Sequence, residues 1–368
     1  MNSEYKPLPS PERLQSLDAL RGFDMFWIVG GASIISAFYA LTGWPIFQRI
    51  LEELDHPEWN GFTFYDLIFP LFLFIAGVTM PYSIGHKLDA NYPKGKLVTT
   101  IIRRGLVLVL LGLIYQGLFK FDFANLRYAS VLGRIGLAWM FASLVFLYTS
   151  WRWQLAWAVG LLLTYWAALT WIPVPEFGAG DLSPGHTLTD FIDRTLLPGK
   201  LHRGDRDPEG LLSTVPAVAT ALFGALAGTW IRWGRASGHA KAGGLLLAGL
   251  LSLTLGWLWD TQFPVNKNLW SSSFVLVTTG WSLILLAVFY WIIDVLGYHK
   301  WSFVWVVIGT NAITAYLAVR FISFQALAEM IFQRGESAFH PAVFNCFGFF
   351  LEWLILYAMY RRKWFLRV

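Results

Sequence analysis

Cysteine is almost missing: Cys346 stands alone in 368 residues. One thiol excludes an internal disulfide framework and any thiolate cluster for zinc or iron and sulfur. Charge is scarce as well, at 14% of residues, where a soluble globular chain carries roughly 25%. Hydrophobic residues make up 56% and the mean hydropathy is +0.51, which excludes an ordinary soluble protein. No phosphate loop, dinucleotide glycine fingerprint or serine nucleophile elbow is present, and no internal repeat or heptad series is evident. Nor is there a basic stripe away from the ends of apolar segments. The net charge of +5 is therefore topological, and nucleic acid is not an expected partner. The polar start, with Pro7, Pro9 and Pro11, leads into an apolar run too long for a signal peptide and lacking a small-residue cleavage site, so the first helix is expected to be retained.

What is present is a series of apolar runs, and a membrane-spanning helix needs about 20 such residues. Ten spans are expected, at 19–41, 62–84, 101–119, 129–149, 155–173, 213–231, 243–259, 272–296, 302–331 and 341–360. The fold class expected is all-α, a polytopic membrane helical bundle of about ten transmembrane helices. It forms one domain over 17–360, between a polar tail at 1–16 and a basic tail at 361–368. Lys and Arg in the connections divide 16 against 9 if the N-terminus is cytoplasmic, counting Lys6, Arg13 and Arg367 on the inner side and Arg334 on the outer. Both termini are then cytoplasmic, as expected for an integral protein of a bacterial inner membrane. Two outer connections exceed a hairpin. Residues 43–61 read as a short amphipathic helix or re-entrant piece, and 174–212 as a long polar loop holding His186, His202, Asp207 and Glu209.

Polar groups at membrane depth are costly, so each is a functional candidate. Asp18, Arg21 and Asp24 share one helical face. They form either an interfacial ion pair or a site where Arg21 holds an anion. Arg103 and Arg104 read as positive-inside anchors or as weaker phosphate contacts, whereas Arg134 lies inside an apolar run and cannot easily snorkel. The densest cluster is DHPEWNGFTFYDLIFPLFLFIAG from Asp55 to Gly77. His56 precedes a helix whose positive end disfavours a second positive charge, and a neutral imidazole is a usable general base. Asn60 suits an oxyanion donor, while Asp66 either orients the histidine or pairs with Arg21. In FPVNKNLW, from Phe263 to Trp270, Asn266, Lys267 and Asn268 suit a pocket wall. Asn311, Arg320 and Glu329 are interior polar groups of the ninth span.

Five strings, in this order, resemble the heparan-alpha-glucosaminide N-acetyltransferase family of transmembrane acyltransferases and its bacterial relatives: RLQSLDALRGFDMF, HPEWNGFTFYDLIFPLFLFIAG, SVLGRIG, DPEGLLST from Asp207 to Thr214, and PVNKNLW. The resemblance implies transfer of an acetyl group from cytosolic acetyl-CoA to the amine of a terminal glucosamine. It implies His56 as the catalytic histidine of the HxxWNG string, followed by Trp59, Asn60 and Gly61, with Asp66 and Arg134 at matched positions. Asp207 and Trp59 join Asn266, Lys267 and Asn268 as expected acceptor contacts. The large outer N-terminal domain of animal members has no match here, which bears on the acceptor more than on the reaction. The co-substrate expected is acetyl-CoA, with its pantetheine arm threaded through the bundle past Arg134, Arg21, Arg103 and Arg104. One base and one oxyanion donor suffice, so no metal is expected. A homodimer is admissible. The alternative is a membrane transporter or carrier for a sugar- or lipid-linked anion, which should show paired broken helices.

Overall fold

The computed structural model describes residues 14–232, 234–332 and 341–366. Lys6, Arg13, Arg334, Arg367 and most of the 1–16 tail lie outside the described residues. Several helices begin just after a hydroxyl-bearing residue. Ser130, Thr187, Ser237 and Ser271 each accept the N–H three residues on, satisfying a donor that the first turn leaves unpaired. The long helices are α1 (Gln15–Thr42), α3 (Phe64–Asp89), α4 (Lys94–Tyr115), α5 (Val131–Tyr148), α6 (Trp151–Trp171), α8 (Thr214–Arg232), α9 (Gly238–Asp260), α10 (Ser272–Val295) and α14 (Pro341–Arg361). Between them lie α2 (Pro45–Glu53), α7 (Leu188–Leu196), α11 (Phe303–Thr310), α12 (Ala312–Phe321) and α13 (Phe324–Phe332).

Eight of these helices are long and apolar enough to cross a membrane, and nine if the bent pair α11 and α12 is one span. The protein is therefore an integral membrane helical bundle. The expected 155–173 span is α6, which is 21 residues long, but its tryptophans, Arg152 and Gln154 make it less apolar than the rest. One expectation is corrected: 302–331 is not a single helix. The chain bends by 74° between α11 and α12 and leaves the helix again at Ile322 and Ser323. The first break falls on Asn311, at φ −127° and ψ 34°. An asparagine amide bonds readily outside the helical ladder, so it favours such a break.

Four helices form the centre: α3, α5, α8 and α10 have 61–72% of their spanning windows buried, against 17–28% for α1, α4, α9 and α14. The outer four, and α6 with them, therefore turn most of their residues outward. Small residues let the central helices touch along their backbones. A Cβ added at Gly77 would lie 2.1 Å from the Ala221 carbonyl oxygen, and one at Gly224 would lie 2.1 Å from that of Phe74, so no larger residue fits either side of the α3–α8 seam. At the other end of the molecule, α14 stops at Arg361 and Lys363 turns the chain back at φ 56°. The Leu366 N–H then reaches the Asn311 Oδ1 at 3.4 Å.

Candidate active site

The segment before α3 is built to hold a histidine. Thr63 caps α3, and Asp66 completes a reciprocal capping box by accepting the Thr63 N–H at Oδ2, 3.2 Å away. Its other oxygen, Oδ1, lies 2.7 Å from His56 Nδ1. A carboxylate only accepts, so Nδ1 carries a proton, and in the neutral ring Nε2 then keeps its lone pair. Asp66 is 1% exposed and His56 42%, so a buried group fixes a ring that opens on a cavity. Arg21 takes no part here: its Nη1 lies 3.4 Å from Asp18 and 3.5 Å from the Gly309 carbonyl, at the opposite end of α1.

The α9–α10 connection closes on this segment. Gly61 donates its N–H to the Val265 carbonyl at 2.9 Å, and the Asn266 amide donates to Asn60 Oδ1 at 3.0 Å while its own Oδ1 accepts from the Leu269 N–H. Asn266 is fully buried. The amides of Asn60 and Asn266 thus clamp two segments together. This clamp projects Lys267, whose Nζ lies 2.8 Å from His56 Nε2, 3.3 Å from His56 Nδ1 and 3.5 Å from Asp66 Oδ1. The two ring distances are too similar for an ammonium on an in-plane lone pair, so Nζ sits beside the ring face. Burial lowers the Lys267 pKa, with the Asp66 charge opposing that shift. His56, Glu58, Trp59, Asp66, Lys267 and Asn268 border a cavity of about 200 Å³, whose far wall includes Arg127, His202 and Glu209.

The long connection roofs this cavity. The Trp59 indole donates to the Leu182 carbonyl at 2.9 Å, and Arg206 stacks 5.5 Å over the same ring. Arg127, unmarked by any sequence signal except its charge, donates to both oxygens of Asp207, at 2.8 and 2.6 Å, and also to Glu209. The Asp207 side chain is fully buried and does not line the cavity. Burial alone would raise its pKa; the Arg127 hydrogen bonds outweigh that and hold it low. Arg134 is also away from the cavity. It is 1% exposed, stacks 4.9 Å from Trp270 and donates to the Ser213 hydroxyl and the Gly210 carbonyl.

Asp193 supplies a pH dependence of known sign. It is fully buried, its Oδ1 accepts the Leu211 N–H at 2.8 Å, and its Oδ2 has no partner. Burial pushes its pKa up to about 7 against that hydrogen bond, whereas an unfolded aspartate titrates near about 3.9. Between these values the folded state holds a proton that the unfolded state has released, so stability falls as pH rises through the window. Asp193→Asn is expected to flatten the fall in thermal midpoint as pH rises toward about 7. The raised Asp190 carboxyl keeps part of the slope. An unchanged slope in the variant would remove Asp193 as its source.

A second cavity, about 630 Å³, opens beside the middle of α3 and is bordered by Asp18, Arg21, Thr79, Arg103, Arg104 and Trp139, with Phe365 and Leu366 from the C-terminal segment. Arg104 stacks 4.9 Å from Trp139. A small apolar cavity of about 40 Å³, the waist, borders both. The waist shares Phe72, Leu132, Ile135 and Ile313 with the large cavity and Val131 with the His56 cavity. Among the described residues, no group of three or more His, Cys, Asp or Glu side chains is placed to hold a metal ion.

A family described as a domain of unknown function (DUF5009) matches residues 13–162. The heparan-alpha-glucosaminide N-acetyltransferase of Mus musculus is 25% identical over an alignment of 429 positions, covering 100% of this chain and 63% of that protein. The Homo sapiens protein of the same name is 27% identical over 418 positions, covering 97% of this chain and 60% of the relative. The chain thus spans less than two thirds of the length of these relatives. It is similar, at 25–27% identity over nearly all of its own length, to two N-acetyltransferases.

Proposed function

We propose that this protein transfers an acetyl group from acetyl-CoA to the amine of a glucosamine-type sugar, with His56 as general base. The observation that carries the reading is the Asp66–His56 pair at 2.7 Å, set in a cavity that borders an apolar waist, which in turn borders a larger cavity with three arginines. Phosphates of the donor would meet Arg21, Arg103 and Arg104, and its uncharged pantetheine arm suits the waist. By the positive-inside excess the arginine mouth faces the cytosol and the His56 mouth the outer side. The acceptor amine gives its proton to His56 Nε2 as nitrogen bonds the thioester carbon. The thiolate, a good leaving group with a pKa near about 8.5 for a model thiol, departs with little acid help. Trp59 and Asn268 border the acceptor. The transporter reading calls for paired broken helices, and among the described residues only one bent pair occurs.

The test is direct. Purified protein in lipid, given labelled acetyl-CoA and a panel of amino sugars, is expected to yield N-acetylated glucosamine and one CoA per product. Folded protein that acetylates no amine sinks the reading. Arg103→Ala and Arg104→Ala are each expected to raise the donor KM about tenfold to a hundredfold with little change in kcat. That range corresponds to the loss of a hydrogen bond to a charged group, about 1.5–3 kcal/mol. An unchanged KM would take that arginine out of the donor site.

A further inference from the structure

We propose that Lys267 rests in the seat of the acceptor amine and becomes N-acetylated itself when the donor is bound and no acceptor is present. The inference rests on the reading above and adds a modification site to it. Lys267 is a primary amine lining the same 200 Å³ cavity as His56, with Nζ 2.8 Å from His56 Nε2. Hydrogen-bond reach of the base is what an acceptor amine must achieve. The lysine cannot drift far, because its backbone is clamped. The neighbouring Asn266 holds Asn60 and Leu269, and the Trp270 N–H donates to the Lys267 carbonyl at 3.1 Å. A small swing of the flexible four-carbon stem carries Nζ from beside the ring to the Nε2 lone pair. Burial, which lowers the Lys267 pKa, increases the share of neutral, nucleophilic amine.

The chemistry balances without a further reagent. The Nζ lone pair attacks the thioester carbonyl carbon, and a nitrogen–carbon bond forms. As the tetrahedral adduct collapses, the carbon–sulfur bond breaks and CoA leaves as thiolate. The proton lost from Nζ passes to His56 Nε2 and then to the thiolate, so nothing is oxidised or reduced. The product is an amide, far more stable than a thioester, so the event happens once per chain. It leaves the acceptor seat filled. In turnover the sugar amine displaces Lys267 and protects it.

The experiment uses the full chain in lipid with acetyl-CoA alone, followed by peptide mass spectrometry. A mass gain of one acetyl group at Lys267, approaching one per chain, is expected, together with a proportional loss of later acceptor turnover. Excess glucosamine should suppress the labelling, and His56→Ala should slow it at least about 10²-fold. If the same preparation acetylates glucosamine while Lys267 stays unmodified, or is modified no faster than exposed Lys120 and Lys300, the inference is overturned and the acetyltransferase reading survives. Acetylation of neither amine overturns both.

Discussion

His56→Ala is expected to lower turnover by at least about 10²-fold while acetyl-CoA still binds, because removing a general base acts on the transition state and not on donor affinity. The arginine cavity shares no lining residue with the His56 cavity, so the substitution leaves its arginines untouched. Asp66→Asn makes the finer test. Its side-chain amide can donate to Nδ1, which drives the ring proton onto Nε2 and removes the lone pair that an acceptor amine needs. A loss of about 10²–10⁴-fold in kcat is expected, the range of general base catalysis. Donor KM should stay nearly unchanged. The capping box would also weaken, at a cost of about 0.5–2 kcal/mol, so folding must be checked by thermal unfolding alongside the rate. Full activity in His56→Ala would remove the imidazole from the reaction.

The second large effect concerns the roof. Arg127→Met is expected to destabilise the 174–212 connection by about 3–5 kcal/mol, since it strands two carboxylates that have left water. The Asp207 side chain is fully buried and that of Glu209 is 11% exposed. Arg127→Lys should recover only part of the loss, because a point charge cannot reproduce the two-pronged contact to both Asp207 oxygens. Arg127→Met combined with Asp207→Asn and Glu209→Gln should be milder than Arg127→Met alone. Hydrogen exchange across 174–212 reports the effect directly. Wild-type protection in Arg127→Met would show that the triad does not hold the roof.

The membrane bundle is legible in the chain because length and apolarity are additive signals that need no tertiary information. Asn311 is where this fails, since one amide inside an apolar run does not announce a 74° bend. The His56–Asp66 pair is close enough in sequence to be considered from local spacing, and the Thr63–Asp66 capping box could have been found the same way. Arg127 and Asp207 are 80 residues apart, and only the folded chain joins them. Asp207 and Asn266 look like acceptor contacts because loop polar residues are usually wet, yet both are buried and bonded within the protein. Arg134 has the same ambiguity. An arginine in an apolar helix must meet polar partners, but the sequence does not name them: Nη2 meets Ser213 and Gly210, while Nε and Nη1 have no hydrogen-bond partner among the described residues.

The backward turn at Lys363 has a practical consequence for handling the protein. Phe365 and Leu366 already border the 630 Å³ cavity, so an affinity tag or fluorescent fusion attached directly after Leu366 starts at its rim. A bulky fusion there would crowd the arginine mouth and pull on the Leu366–Asn311 contact, which ties that rim to the break between α11 and α12. Protein tagged at this position would then report weak donor binding that belongs to the tag, and cleaving the tag before assay would restore it.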